Sequence, residues 1–184
     1  AMNPNATLSR LLKNQVILLT RAEHHQASLR QAIEARCGSW ASLPLIDIVR
    51  LSEAELQQAR EKIQELDRYD VVIFVSQNAA RFGAELIADY WPQLPVRQRL
   101  ITFGKGTAAL LAEILAAEVE FPVEGSDSEA VLRLPVLNEI AGRKVLILRG
   151  VGGREYLAQT LSRRGAFTDY GAVSYTHLTL PTIA

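Results

Sequence analysis

The stretch that decides the fold is residues 69–78, which read YDVVIFVSQN. Residues 71–75 are all apolar, which is typical of a strand buried on both faces of a parallel sheet. Ser76 stands where a helix would begin, because a serine hydroxyl accepts hydrogen bonds from the first N–H groups of a helix. The stretch therefore predicts a strand followed directly by a helix, which is one unit of an α/β sheet.

The same strand–helix pattern recurs along the chain. Further strands are predicted at residues 100–103, 119–121 and 143–148, each followed by a polar or glycine-rich turn and a helix. Ahead of them, Ser52 and Glu55 have the spacing of a capping box and predict a helix to about residue 66. Four consecutive units suffice for a flavodoxin-like domain, so we expect a complete α/β domain over residues 51–165, with a parallel sheet and helices on both faces.

One more unit lies apart from this block, ahead of Pro44. Residues 15–20 predict a buried strand and residues 22–36 a helix, whereas residues 40–48 read as an extended edge strand or linker. A single strand and helix are too short to bury their own apolar side chains. We therefore expect residues 1–39 to be an isolated βα unit of a domain from which other elements are missing.

Composition excludes several classes of partner. Lys and Arg number 20, as do Asp and Glu, so the net charge is zero and no nucleic-acid or acidic-membrane partner is indicated. Cys37 is the single cysteine, which forbids an internal disulfide and fits a reducing compartment. No apolar run approaches the roughly 20 residues that span a bilayer, and the N-terminus lacks a signal-peptide apolar region. We expect a cytoplasmic protein without a membrane partner.

Parallel sheets bind ligands beyond the carboxyl ends of their strands. Polar turns occupy that position at residues 20–21, 76–78, 104–107 and 149–154, but none has the spacing of a nucleotide-binding motif. No acid pair, metal cluster or nucleophile–base pair stands out either, so neither a cofactor nor a metal is predicted. Taken singly, Ser76, Asn78 and Thr107 fit simple helix caps as well as ligand contacts.

Six segments in chain order carry a resemblance to a known family. They are LTR (19–21), LPLI (43–46), FVSQNA (74–79), ITFGKGTA (101–108), SEAVL (128–132) and LILRG (146–150), the last followed by Gly153, Arg154, Leu157, Leu161, Arg164 and Gly165. Each segment alone is a weak signal. In this order, over residues 15 to about 172, the sequence resembles the uroporphyrinogen-III synthase family.

The resemblance implies a two-domain enzyme whose chain leaves its first domain early, builds the second without interruption and returns. The two connections pair as a β-ladder in this family. Residues 1–39 are then the first βα unit of a discontinuous, incomplete domain. Residues 40–50 are a linker strand, and residues 166–184 a return linker strand with an atypical tail.

The family closes the linear tetrapyrrole hydroxymethylbilane into uroporphyrinogen III, without a cofactor, and its members are expected to be monomeric. Thr107 matches a family position that lines the cleft and is the candidate catalytic residue. The candidate substrate-binding residues are Thr20, Arg21, Ser76, Asn78, Gly104, Ser128, Arg149, Gly150, Gly153 and Arg154. For Arg21 and Arg149, a surface ion pair is the alternative interpretation.

The chain departs from the family pattern near Ser174. The family has a tyrosine ten residues past the arginine equivalent to Arg164, where this chain has Ser174, and its tyrosine comes one place later at Tyr175. A one-residue slip turns a side chain to the opposite face of a strand. Residues 174–184 resemble translated sequencing-adapter read-through, so we expect either a truncated gene product or a divergent tail. Such a fragment is expected to be inactive or weakly active, and able to self-associate.

Two other classes stay open as alternatives. One is a non-enzymatic flavodoxin-like ligand-binding or regulatory domain, which as a receiver would need acidic residues at the first strand ends, whereas only Asp70 is present, at the wrong end. The other is a nucleotide-dependent enzyme of Rossmann type. It would need a glycine-rich loop after the first strand, and residues 18–25 (LLTRAEHH) contain no glycine.

Overall fold

A computed structural model describes residues 11–153 and 155–179. Its strands are β1 (Val16–Leu19), β2 (Ser39–Ser42), β3 (Ile46–Arg50), β4 (Val71–Phe74), β5 (Arg99–Thr102), β6 (Val119–Glu120), β7 (Lys144–Gly150) and β8 (Phe167–Leu178). Its α-helices are α1 (Ala27–Glu34), α2 (Gln57–Gln64), α3 (Gln77–Tyr90), α4 (Lys105–Leu115), α5 (Ser128–Leu132) and α6 (Tyr156–Arg163). The chain divides into a first unit, Ala1–Val49 with Thr176–Ala184, and a second unit, Arg50–Tyr175.

The second unit is built on a parallel sheet. Strands run in the order β8-β7-β4-β5-β6, and every one of these pairings is parallel. Ile73 at the centre pairs with Ile101 on one side and Ile147 on the other. The predicted α/β class, with strands alternating with helices, is confirmed.

Helices cover both faces of this sheet, which explains why its strands are continuously apolar. Val72, Phe74 and Leu148 point to the side of α2, α3 and α4, the α3 face, and are fully buried there. Ile73 and Ile147 point to the side of α5 and α6, the α6 face, and are equally buried. Phe74 is 0% exposed, and truncating a buried phenylalanine to alanine costs about 3–5 kcal/mol.

The strand order creates a switch point between β4 and β7. From β4 the chain first builds outward through β5 and β6, and then crosses to the other side to form β7 and β8. The helices that follow β4 and β7, α3 and α6, consequently lie on opposite faces of the sheet. Ligands of open α/β sheets bind in the crevice that this divergence leaves beyond the carboxyl ends of the strands.

The first unit differs from the sequence expectation in one strand. The residues themselves leave an edge strand or a linker open for 40–48, and the resemblance implies one linker strand over 40–50. In the structure β2 is an edge strand that pairs in parallel with β1 in the register Ile17 to Trp40, and only β3 follows as the linker. The reason is that the backbone N–H and C=O groups along β1 need hydrogen-bond partners, and residues 39–42 supply them. On the outer side of β1, Val16 and Leu18 stay 68% and 55% exposed.

The linker strands β3 and β8 lie side by side. The N–H of Thr179 donates to the carbonyl of Leu45 at 3.0 Å, and the N–H of Leu51 donates to the carbonyl of Val173 at 3.1 Å. As one residue number rises the partner's falls, so the two strands run antiparallel. This is the two-strand linker that the family resemblance implies.

The helix predicted from Ser52 begins later than expected. The carboxylate of Glu55 does accept hydrogen bonds from the N–H and the hydroxyl of Ser52, at 3.0 and 2.5 Å. These bonds lie in a turn, however, and α2 starts at Gln57. Among the residues that the structure describes, no helix has the length and apolar character needed to cross a bilayer.

Candidate functional site

Three of the predicted turns meet at one edge of the second unit's sheet. Ser76 follows β4, Thr107 lies in the turn and helix after β5, and Gly153 follows β7. Strands β5, β4 and β7 are parallel neighbours, so their carboxyl ends share one edge. The prediction that these three positions lie on one rim is confirmed.

Ser76 serves as a helix cap at this rim. Its Oγ accepts a hydrogen bond from the N–H of Ala79 at 3.1 Å, and its backbone is extended, as expected for an N-cap residue. Asn78, in the first turn of the same helix, is buried, with 5% of its surface exposed. One first-turn N–H group of α3 is therefore already satisfied by the protein's own side chain.

The start of α4 is built differently. Gly104 is its N-cap residue and has no side-chain oxygen with which to cap the helix. A Cβ added at Gly104 or Gly106 would have no described protein atom within 4 Å. Thr107, half-buried, completes this first turn. The result is the positive end of an 11-residue helix with bare backbone facing open space, which suits an anion.

A cavity of about 360 Å³ lies at the same edge. It is lined by Val75, Phe103, Ser126, Asp127, Ser128, Ile147, Arg149, Gly153 and Leu157. Three predicted residues, Ser128, Arg149 and Gly153, come together there, and Val75 and Phe103 directly precede two others. A larger cavity of about 650 Å³, lined by residues 92–96, 98–100, 115–118 and 120, contains none of the predicted residues.

Asp127 was missed by sequence reasoning, although a signal was present. Its carboxylate accepts from the N–H of Ala130 at 2.8 Å and caps α5, so Ser128 is the first helical residue and not the cap. An aspartate directly before a predicted helix start is a recognised cap pattern. Asp127 and Ser126 place a carboxylate and a hydroxyl beside the cavity.

Arg149 lies at the centre of a network of charged and aromatic groups. Its Nη1 donates to the carbonyl of Gly153 at 2.8 Å, and its Nη2 donates to Glu155 Oε1 at 2.9 Å. Its guanidinium carbon stands 3.7 Å from the ring centre of Tyr170, whose hydroxyl donates to Glu155 Oε2 at 2.9 Å. The ion-pair interpretation of Arg149 is correct, and the residue also lines the cavity.

The network shifts two acid–base equilibria. Hydrogen bonds from Tyr170 and then from Arg149 lower the pKa of Glu155, which keeps this carboxylate ionised. Burial, followed by the hydrogen bond to Glu155, raises the pKa of Tyr170 to about 12. At neutral pH the network therefore consists of one cation, one anion and a neutral phenol.

The two glycines after Arg149 have different surroundings. A Cβ on Gly153 would stand 3.0 Å from Cδ of Arg149, so a side chain there would crowd the arginine against its partners. Gly150 pairs with Ser174 of β8, and a Cβ on Gly150 would lie 3.3 Å from the Ser174 hydroxyl. Gly153 thus leaves room for Arg149, and Gly150 for β8.

A β-bulge in β8 changes the position of Tyr175. Arg149 pairs with Ala172, but the next residue, Gly150, pairs with Ser174, so Val173 is an extra residue in the ladder. Val173 and Ser174 are both buried and follow the α3 face, which interrupts the alternation of sides. By register, Tyr175 then falls on the α6 face with Arg149. The bulge therefore cancels the change of side that a one-residue slip causes on a regular strand. The correspondence of Tyr175 to the family's tyrosine stays a prediction.

The remaining predicted residues belong to the first unit or lie outside the described residues. Thr20 and Arg21 belong to the first unit and are exposed; their carbonyls accept hydrogen bonds from the N–H of Leu45 at 3.0 Å and the Gln26 amide at 2.7 Å. Their role stays a prediction. Arg154 lies outside the described residues. Within residues 11–153 and 155–179, no group of three His, Cys, Asp or Glu side chains is placed to hold a metal.

Comparison with known proteins assigns the chain to a family. The family model for Uroporphyrinogen-III synthase HemD matches residues 27–177, a range that includes Ser174 and Tyr175. A uroporphyrinogen-III synthase of Salmonella typhimurium is 35% identical over 154 residues, covering 84% of this chain and 62% of the relative. One of Proteus mirabilis is 32% identical over 156 residues, covering 83% and 76%.

Solved structures support the fold. A mutant uroporphyrinogen III synthase of Thermus thermophilus superposes with a TM-score of 0.64 at 12% identity, covering 89% of this chain and 63% of that one. A synthetase of Helicobacter pylori gives a TM-score of 0.51 at 15% identity, covering 94% and 65%. The chain spans about three-fifths of the length of the Salmonella relative. Its family match, its identity to these relatives and its fold agree, and the chain belongs to the uroporphyrinogen-III synthase family.

Proposed function

We propose that this chain binds hydroxymethylbilane and acts in its cyclisation to uroporphyrinogen III, with inversion of the last pyrrole ring. The observation that carries the proposal is the start of α4, where Gly104 and Gly106 leave the positive end of a helix open toward the rim. The proposed ligand carries eight carboxylates. Family membership supports the choice of this ligand over other anions.

Several groups on the rim suit a polycarboxylate. The first turn of α4 offers backbone N–H groups and the hydroxyl of Thr107, and the cavity adds the hydroxyls of Ser126 and Ser128. The N-terminal ends of α3 and α4 carry partial positive charge, which favours anions by about 0.3–1 kcal/mol at each exposed terminus. Ser76, Asn78, Gly150 and Gly153 are proposed to shape this rim rather than to donate through side chains.

The chemistry asks little of the protein beyond positioning. Loss of the terminal hydroxyl leaves a cation that the electron-rich pyrroles stabilise. The substituted carbon of the last ring must then attack this cation to form a spiro intermediate. Holding the flexible chain in that geometry can supply roughly 7 kcal/mol or more. We assign to Thr107 a hydrogen bond to the departing hydroxyl, a step that requires no cofactor.

The proposal extends to partners and location. The substrate is a small molecule, and a cytoplasmic site fits the charge balance and the single cysteine. We propose that full-length family members act as monomers and that this chain can self-associate through the exposed side chains of β1.

Uroporphyrin III, the oxidised form of the product, is a stable octacarboxylate probe of the site. Fluorescence titration of the 184-residue chain is expected to show saturable binding that weakens with added salt. A folded protein, verified by circular dichroism, that shows no saturable binding would contradict the proposed function.

Thr107 is tested by its isostere. Thr107→Val is expected to remove the uroporphyrinogen III that the chain forms from hydroxymethylbilane at high protein concentration, while uroporphyrin III affinity changes by less than about threefold, since the hydroxyl acts on a leaving group that the product lacks. Thr160→Val, on α6, is the matched control and should leave both unchanged. Equal isomer yields from Thr107→Val and the wild type would refute the role of Thr107.

A further inference from the structure

Glu155 joins two other residues at the rim of the second unit. One of its carboxylate oxygens accepts from Arg149 at 2.9 Å, and the other accepts from the hydroxyl of Tyr170 at 2.9 Å. The guanidinium also stacks over the Tyr170 ring. The protein thus itself supplies a carboxylate partner for the cationic side chain that lines the cavity.

The two members of the ion pair differ in exposure. The side chain of Arg149 is 15% exposed and lines the cavity, whereas that of Glu155 is 54% exposed. An exposed carboxylate can return to water at little cost, because solvent screens most of what its ion pair contributes. The guanidinium cannot leave as easily, since Gly153 and Tyr170 hold it in place. Arg149 can therefore exchange Glu155 for another carboxylate while the guanidinium stays in place.

We propose that Glu155 is a positioning residue that sets the anion affinity of this cavity, by competing with ligand carboxylates for the guanidinium of Arg149. The proposal rests on the proposed function for the class of ligand, a polycarboxylate. Both terminal nitrogens of Arg149 are engaged, Nη1 by the Gly153 carbonyl and Nη2 by Glu155. A ligand carboxylate that takes the N–H of Nη2 now bonded to Glu155 must displace Glu155.

This competition favours ligands with several carboxylates. A ligand anchored by other carboxylates at the start of α4 presents its next carboxylate to Arg149 at high effective concentration, which offsets the displacement of Glu155. A singly charged anion has no such anchor and competes poorly. Because hydrogen bonds lower the pKa of Glu155, the internal competitor stays ionised at neutral pH.

The test removes the charge of Glu155 and keeps its size. Glu155→Gln can still contact Arg149 and Tyr170, but an amide holds a guanidinium far less strongly than a carboxylate does. We expect it to bind benzenetetracarboxylate and uroporphyrin III roughly three- to tenfold more tightly than the wild type. Glu61→Gln is the matched control, because it changes the net charge by the same amount but lies on α2, on the α3 face of the sheet. It should bind both ligands as tightly as the wild type does.

A double variant separates competition from a general charge effect. In an Arg149→Met background, Glu155→Gln should change affinity by less than about twofold, because no guanidinium is left to release. A gain that persists in this background overturns the proposal, as does equal, weaker or absent binding of benzenetetracarboxylate by Glu155→Gln alone. Failure of every form to bind uroporphyrin III would contradict the proposed function instead, and the benzenetetracarboxylate titration would still decide the role of Glu155.

Discussion

Gly106→Ala separates what the fold needs from what a ligand needs. Gly106 is the second residue of α4, and its φ lies outside the positive range that favours glycine. An added Cβ would have no described protein atom within 4 Å. The methyl group therefore fits the protein without strain, while it enters the space in front of the first-turn N–H groups.

Gly106→Ala is expected to raise the stability of the protein and to lower its affinity for the ligand. Alanine restricts the unfolded chain and favours the helix, so Gly106→Ala should raise the free energy of unfolding by about 0.4–1 kcal/mol. For a protein of this size that corresponds to a rise in Tm of roughly 1–4 °C. If a ligand carboxylate hydrogen-bonds to the start of α4, the methyl group displaces it, and one lost charge-assisted bond of about 1.5–3 kcal/mol weakens binding roughly 10- to 150-fold.

The assay pairs thermal unfolding, followed by circular dichroism, with uroporphyrin III titration of the same samples. Ala109→Gly is the control, since Ala109 is exposed on the same helix, one residue past its first turn. It should lower Tm by a similar amount and leave the affinity unchanged. A Gly106→Ala variant that is more stable and binds as tightly as the wild type would show that the start of α4 does not hold the ligand. A less stable variant would contradict the finding that a methyl group at position 106 enters open space.

Three further outcomes are expected. Asp127→Ala should lower the free energy of unfolding by about 1 kcal/mol in urea titration, through loss of the Ala130 cap, while Asp127→Asn retains most of it. Because the pKa of Tyr170 is raised to about 12, its contribution to stability is present below about pH 10 and is lost as pH rises toward 12, so Tyr170→Phe should show a smaller alkaline loss. The 184-residue chain should convert hydroxymethylbilane mainly to the type I isomer, because the described residues of the first unit show, apart from the linker strands, the single strand pair β1 and β2; predominant type III product would contradict this.

The sequence predicted the second unit well because its signals are local. An apolar run such as residues 71–75 requires cover on both faces, and Ser76 directly after it marks a helix start. Repetition of this unit allows only a parallel sheet, and parallel pairing brings the carboxyl ends of the strands to one rim. The rim position of Ser76, Thr107 and Gly153 follows from topology alone.

The contacts of Arg149 were beyond such reasoning. Glu155 is six residues away across a turn, and Tyr170 reaches the same place only because β8 pairs with β7. No periodicity links these three positions, since their contact depends on sheet register and on the path of a loop. For the same reason the first unit was predicted less well: nothing in the residues 39–42 indicates that they pair with β1 rather than continue as a linker.

Tyr175 shows why counting along the chain alone does not give the side of a strand on which a residue lies. Counting ten residues from Arg164 assumes that side chains alternate regularly along β8, and Ser174 then takes the tyrosine's place. The sheet, however, is held by hydrogen bonds to β7, and the bulge between Ala172 and Ser174 inserts one residue without moving the ladder beyond it. The face on which a side chain of β8 lies is therefore set by its pairing with β7. By this register, Tyr175 lies on the same face as Arg149. An insertion of one residue in β8 leaves the side on which the following residues lie unchanged when, as here, a bulge absorbs it.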